Sequence, residues 1–218
     1  MERNFAEGEY YHVYNRGVEK RLVYLNDHDR WRFLSLLFLL QGEIIFPQIG
    51  RLVPFVKSRT FDKDIFQEVV ETKYIGLVSF CLMPNHFHLI LDELKEGSIS
   101  RFMQRLLTAY TKYFNIKYKR TGHLFGGAFQ AVHIDRDEYL QYLSAYIHLN
   151  PRELTKWRNK EIQYPWSSYQ DYVEENRWGN FLSPSLVLDQ FKSGKEYQRF
   201  IEETPIKKNI SEEYLIDL

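Results

Sequence analysis

Two runs of β-forming residues with a short break between them constrain the fold most strongly. Residues 74–82 are almost continuously apolar, and residues 86–91 resume the pattern after Pro84 and Asn85. Apolar and β-branched runs bounded by turn residues are typical of strands, and so short a break joins two strands as an antiparallel hairpin. The sequence therefore predicts a β-hairpin near the middle of the chain.

Helical and strand patterns alternate on both sides of this hairpin. A strand is predicted over residues 9–15, and apolar residues recur at helical spacing between Trp31 and Phe38. The clearest helical stripe covers residues 99–114, a strand is predicted over 124–134, and a last helix over 136–149 with Asp135 as its cap. The order predicts an α+β fold with a ferredoxin-like βαββαβα core, an antiparallel sheet with helices on one face.

Length and pattern together predict how the chain is organised. A chain of 218 residues corresponds to about one domain, since domains commonly hold about 100–200 residues. We expect a core domain over residues 1–151, an insertion over 43–72 broken by proline and glycine, and a C-terminal helical extension over 152–218.

Composition favours a protein of the reducing cytoplasm. No apolar run approaches the roughly 20 residues of a membrane helix, so we expect a soluble protein without a membrane partner. The N-terminus lacks the layout of a signal peptide, and Cys81 is the single cysteine, so no internal disulfide can form.

The distribution of charge is more informative than its sum, because 29 basic residues balance 29 acidic ones. Residues 100–134 contain no Asp or Glu. Basic side chains interleaved with aromatic ones suit a phosphate backbone and unstacked bases, although a solvated helix face gives the same pattern. The basic residues of this segment are Arg101, Arg105, Lys112, Lys117, Lys119 and Arg120.

His86 and His88 lie two positions apart in the second strand of the hairpin. Alternate side chains of a strand share a face, so both imidazoles point the same way with Cα atoms roughly 6.5–7 Å apart. Two histidines at this distance can bind one metal ion. The alternative is one surface histidine and one hydrogen-bonded core histidine.

Tyr146 and Asn150 stand four residues apart on the last predicted helix and therefore share a face. Tyrosine can act as a covalent nucleophile, and the amide oxygen of Asn150 can complete a metal site that polarises a phosphate. The alternative is that Tyr146 is an aromatic core residue of this helix.

Four motifs in this order resemble the REP-associated tyrosine transposases, IS200-like single-tyrosine HUH transposases that act on single-stranded DNA. Asn15-Arg16-Gly17 also resembles the N-terminal signature of the family. We interpret this segment either as a contact to the bases beside a DNA hairpin or as a simple turn that ends the strand. The four motifs are Met83-Pro84-Asn85-His86-Phe87-His88-Leu89-Ile90, Arg120-Thr121-Gly122-His123-Leu124-Phe125, Tyr146-Ile147-His148-Leu149-Asn150-Pro151 and Trp166-Ser167-Ser168-Tyr169.

The resemblance implies a nuclease domain over residues 1–151 that binds a divalent ion, Mg²⁺ or Mn²⁺. His86, His88 and Asn150 would hold the ion, and Tyr146 would cleave single-stranded DNA next to an imperfect hairpin through a 5′-phosphotyrosine. The basic segment and the N-terminal signature together supply the predicted DNA contacts, which are Arg16, Arg101, Arg105, Lys112, Lys119 and Arg120. The protein would act as a monomer or a homodimer.

One departure from the family is that Gly126-Gly127-Ala128-Phe129 stands where Gln-Gly-Arg-Phe is usual, so an arginine contact is absent. Other classes of protein also fit the residues. A ferredoxin-like RNA-binding module or endoribonuclease would form no covalent intermediate, and a zinc hydrolase would cleave without Tyr146. A domesticated DNA-binding protein that has lost transposition is a further alternative.

Overall fold

The computed structural model describes residues 5–60, 63–203 and 205. Within these ranges the strands form one four-stranded antiparallel sheet of order β2-β3-β1-β4, so β3 and β1 are central. The strands are β1 (Tyr10–Arg16), β2 (Ile75–Met83), β3 (His86–Glu93) and β4 (Gln130–Ile134).

The helices confirm the predicted α+β order βαββαβα and add elements in the insertion and the C-terminal extension. None of the described helices combines the length and the apolar character that crossing a bilayer requires. The helices are α1 (Asp27–Leu39), α2 (Val53–Ser58), α3 (Lys63–Glu71), α4 (Ser98–Lys117), α5 (Asp137–Leu149), α6 (Tyr169–Val173), α7 (Ser185–Leu188) and α8 (Gly194–Glu203).

Both faces of the sheet are covered. The ring of Phe33 on α1 lies 5.2 Å from that of Phe87 on β3, and α4 packs beside α1. On the opposite face the ring of Tyr146 on α5 lies 5.6 Å from that of His88. Helices α1 and α4 thus share one face as predicted, with the difference that α5 lies on the other. Every residue of β2 is buried because the sheet has no solvent face there, and this explains its continuous apolar sequence.

Two element boundaries differ from the prediction. Strand β4 begins at Gln130 instead of 124, because residues 124–129 form a loop in which Gly127 has a φ of +145°. Helix α5 begins at Asp137 with Arg136 as its N-cap and no capping side chain, so the predicted cap at Asp135 is wrong. Asn26 does cap α1, through a capping box with Asp29.

The C-terminal extension packs against β2, which is an edge strand of the sheet. The backbone N–H of Leu82 donates to the carbonyl oxygen of Trp166 at 2.8 Å, and that of Ser168 donates to the oxygen of Phe80 at 3.0 Å. Exposed strand edges invite unwanted pairing, and this segment covers the edge. The domain boundary at 151 stays a prediction, and the chain after 205 lies outside the described residues.

Candidate active site

Strand pairing places the predicted histidines beside polar residues of β1. His88 stands opposite Tyr14 and His86 opposite Arg16, so all four side chains lie on the same face of the sheet. His86 is 3% exposed and His88 is fully buried. The arrangement confirms that the two imidazoles share a face, which alternation along a strand predicts.

The two nitrogens of His88 have different surroundings. Nδ1 lies 2.9 Å from Nε2 of His12, which is also fully buried, and the two rings are nearly parallel, with an interplanar angle of 13° and centroids 5.1 Å apart. Nε2 is buried and has no hydrogen-bond partner within residues 5–60 and 63–203. Buried polar atoms are hydrogen-bonded in the great majority of cases, so this nitrogen needs an explanation.

His86 connects the sheet to helix α5. Its Nε2 lies 3.5 Å from Oδ1 of Asn150, and its Nδ1 lies 2.7 Å from Oδ1 of Asn85. The side-chain NH₂ of Asn150 donates to the backbone oxygen of Tyr146 at 3.0 Å, so the amide oxygen of Asn150 is the atom turned toward His86.

Tyr146 lies against the same cluster, one helical turn before Asn150. Its ring meets that of His88 edge to face, at an interplanar angle of 84°, and it is 2% exposed. The structure thus brings together Tyr146, His86, His88 and Asn150, which the sequence selected from two separate motifs. Their chemical roles stay predictions.

Burial keeps the imidazoles of His12 and His88 neutral. It lowers the pKa of His12 to about 3, and it lowers the pKa of His88 well below the ordinary 6.5, with further lowering by His86, His12 and Arg16. Metal binding requires neutral imidazole, so this state is the one a metal ion needs.

The donor set fits a divalent ion only if the amide oxygen is included. Among the described residues no group of three or more His, Cys, Asp or Glu side chains could hold a metal ion. Two imidazole nitrogens and the oxygen of Asn150 form a mixed nitrogen and oxygen set, which suits Mn²⁺ and other borderline ions. The partnerless Nε2 of His88 is the structural observation that supports such a site.

Arg105 is bonded within the protein. Its guanidinium donates to the hydroxyl of Tyr74 at 2.6 Å and to the backbone oxygens of Gly42 and Ile44 at 3.2 and 2.9 Å. These bonds tie α4 to the start of the insertion, because arginine offers several donors in a fixed fork. A contact of Arg105 with DNA stays a prediction, and it would have to compete with these bonds.

The other predicted DNA contacts fall into two groups. Arg16 lies on the face of the histidines, whereas Arg101, Lys112 and Lys119 are exposed on or after α4, behind the sheet. Arg120 donates to the side chain of Asn115 at 3.0 Å. The cations behind the sheet therefore do not border Tyr146.

An open groove of about 420 Å³ runs between α4 and residues 122–127. Lys112, Asn115 and His123 supply polar atoms to its lining. The backbone N–H of Gly126 donates to the oxygen of Arg16 at 2.9 Å, so the same loop reaches the end of β1 that lies beside His86. The loop links the two groups of cations.

Sequence reasoning missed the contacts of His12 and Asn85 with the histidine pair. His12 was one of several scattered histidines, and Asn85 was interpreted only as a turn residue. The register of β1 against β3 would have placed His12 diagonally beside His88, but one sequence does not provide that register.

The fold and the cluster define a class of protein: an α+β domain with a His-x-His pair on a central strand, facing a tyrosine on a helix. Residues 51–150 match the family model described as "Transposase IS200 like". This part of the chain is therefore similar to IS200-like transposases, which agrees with the resemblance, and the matched range includes His86, His88, Tyr146 and Asn150.

A solved structure shares the fold. The chain is similar to the REP-associated tyrosine transposase in a structure of that protein bound to a REP hairpin, with a TM-score of 0.51 and 14% identity over 79% of this chain and 84% of that one. At this identity the likeness shows the fold. No curated protein sequence is significantly similar to the chain.

Proposed function

We propose that this protein is a single-stranded DNA endonuclease and strand transferase that acts next to a hairpin, with Tyr146 as its nucleophile. The convergence of Tyr146, His86, His88 and Asn150 in one buried cluster carries the proposal. The match of residues 51–150 to the IS200-like transposase model supports DNA as the substrate class, and the neighbour bound to a REP hairpin suggests the form of the DNA.

The chemistry is an exchange of one phosphodiester bond for another. The phenolic oxygen of Tyr146 loses its proton and attacks phosphorus, forming an O–P bond. The bond from phosphorus to the 3′-oxygen breaks, and that oxygen takes a proton to become a free 3′-OH. Because the phosphotyrosine keeps a phosphodiester linkage, a 3′-OH can later reverse the step without an external energy source.

A divalent ion, Mg²⁺ or Mn²⁺, held by Nε2 of His86, Nε2 of His88 and Oδ1 of Asn150 would act as a Lewis acid toward the phosphate. The chain itself orients the nucleophile, because Asn150 bonds to the backbone oxygen of Tyr146 and both residues lie on one rigid helix. Proximity and orientation of this kind supply a large part of catalysis.

The DNA path we propose runs from Arg16 along the loop of residues 122–127 to Lys112, Lys119 and Arg120, with Arg101 further along α4. Arg105 is left out because its guanidinium is bonded internally. The free and buried thiol of Cys81 suits a protein of the cytoplasm.

The test is incubation with labelled, hairpin-bearing single-stranded DNA and Mn²⁺, followed by denaturing electrophoresis. We expect a covalent adduct with the native protein and none with Tyr146→Phe, which removes one oxygen and keeps the ring. Tyr142→Phe is the matched control, because the ring of Tyr142 packs against Phe200 at 5.4 Å.

An adduct that persists in Tyr146→Phe, or a phosphotyrosine found by mass spectrometry at Tyr139 or Tyr142, would overturn the central residue. Cleavage without any adduct would favour the endoribonuclease or hydrolase alternative.

A further inference from the structure

Two residues that are not proposed metal ligands lie next to Nδ1 of His86 and of His88, the ring nitrogens that point away from the proposed metal site. Nε2 of His12 lies 2.9 Å from Nδ1 of His88, and Oδ1 of Asn85 lies 2.7 Å from Nδ1 of His86. We propose that His12 and Asn85 are positioning residues, which accept hydrogen bonds from these Nδ1–H groups and so leave a lone pair on Nε2 of both histidines. The inference rests on the metal site of the proposed function.

The contact of Asn85 defines the tautomer of His86. The side-chain NH₂ of Asn85 donates to the backbone oxygen of Lys20 at 3.2 Å, so its amide oxygen is the atom that faces His86. An amide oxygen only accepts hydrogen bonds. Nδ1 of His86 must therefore carry the proton, and in the neutral ring Nε2 then carries a lone pair.

The contact between His12 and His88 allows two positions of the shared proton, because one nitrogen of the pair must donate and the other accept. If His12 donates, Nε2 of His88 carries a buried proton; if His88 donates through Nδ1, the proton of His12 lies on its own buried Nδ1 instead. The metal ion of the proposed function selects the second arrangement, because it needs the lone pair on Nε2 of His88. His12 is then the acceptor that fixes the ring of His88.

With His86 protonated at Nδ1, the space between its Nε2 and Asn150 favours a cation. The lone pair on Nε2 of His86 faces Oδ1 of Asn150 at 3.5 Å, so two acceptors oppose each other with no proton between them. The ring of His88 lies next to that of His86, with centroids 5.0 Å apart. A histidine that binds a metal usually donates its other N–H to a fixed acceptor, and losing that acceptor typically weakens metal binding about 10- to 100-fold.

The variants for the test come in pairs. His12→Phe keeps a ring without an acceptor, whereas His12→Gln restores a carbonyl oxygen. Asn85→Leu removes the acceptor from His86, whereas Asn85→Asp keeps one. The matched control is His133→Phe, because His133 lies exposed on β4 and bonds to Glu9 at 2.8 Å instead of the histidine pair.

The first measurement is the tautomeric state of His86 in the metal-free native protein, by long-range ¹H–¹⁵N NMR. We expect this ring to be protonated at Nδ1, where Asn85 accepts. Protonation at Nε2 overturns the proposal, and this result depends on no variant folding.

The second measurement is Mn²⁺ affinity by calorimetry. We expect His12→Phe and Asn85→Leu to bind about 10- to 100-fold more weakly, His12→Gln and Asn85→Asp to recover most of the loss, and His133→Phe to match the native protein. Native affinity in both acceptor-free variants overturns the positioning role. The expected tautomer of His86 in a native protein that binds no Mn²⁺ would support the role of Asn85 and reject the metal site of the proposed function.

Discussion

Two buried polar clusters lie at helix α5, one around His86 and His88 of the sheet and one around His148 of α5 itself, and they differ in how the histidine nitrogens are bonded. His148 is as buried as His88, and burial lowers its pKa to about 3. Its Nδ1 lies 2.7 Å from the hydroxyl of Tyr197 and its Nε2 lies 2.8 Å from that of Ser168. Nε2 of His88, in contrast, has no partner within the described chain.

The comparison teaches that neither burial nor a lowered pKa marks a functional histidine in this fold. Both clusters have these properties, but only one leaves a buried nitrogen without a partner. The protein itself satisfies both nitrogens of His148, so that cluster works as a structural joint between α5, α8 and the segment that covers β2. The cluster of His86 and His88, in contrast, leaves Nε2 of His88 available for the metal ion that we propose.

Metal binding should distinguish the two clusters by the largest effect. His86→Ala/His88→Ala removes both imidazoles of the proposed site, and we expect Mn²⁺ binding measured by calorimetry to disappear. Tyr197→Phe, which changes only the other cluster, should keep the native affinity. Unchanged Mn²⁺ affinity in the double variant would reject the site and make the two clusters equivalent.

The free energy of unfolding should distinguish the two clusters by a smaller effect. Tyr197→Phe deprives Nδ1 of His148 and the hydroxyl of Ser144 of their buried partner. Leaving buried polar groups unsatisfied costs about 1–3 kcal/mol, so we expect the free energy of unfolding in urea to fall by about that amount. Tyr142→Phe, on the same face of the protein, should lose less because Tyr142 is half-buried. A fully stable Tyr197→Phe would show that the joint is not structural.

The sequence predicted what depends on periodicity and missed what depends on contacts between distant segments. Alternation placed His86 and His88 on one face, and helical spacing placed Tyr146 one turn before Asn150. The internal bonds of Arg105 were missed, because its acceptors in residues 42–44 are brought to α4 only by the folded insertion. Local spacing carries no information about such partners.

The same criterion asks whether a polar group is already bonded within the protein. Applied to the cations on and after α4, it predicts the smallest effect, a change in the salt dependence of DNA binding. Lys112 and Lys119 are exposed, while the guanidinium of Arg105 is bonded to three oxygens. Binding to a DNA strand weakens with log salt by about 0.7 in slope for each neutralised phosphate. We therefore expect Lys112→Ala/Lys119→Ala to reduce the slope by about 1.4 if each lysine neutralises one phosphate.

Arg105→Met is the matched control, because it removes a cation from the same helix. We expect it to lower stability, measured in urea, and to leave the salt slope for hairpin DNA unchanged. If Lys112→Ala/Lys119→Ala keeps the native salt slope, these lysines do not contact DNA, and this side of α4 is a solvated helix face. A flatter slope in Arg105→Met would mean that the internal bonds of Arg105 open when DNA binds, and the division into bonded and available cations would then fail at this helix.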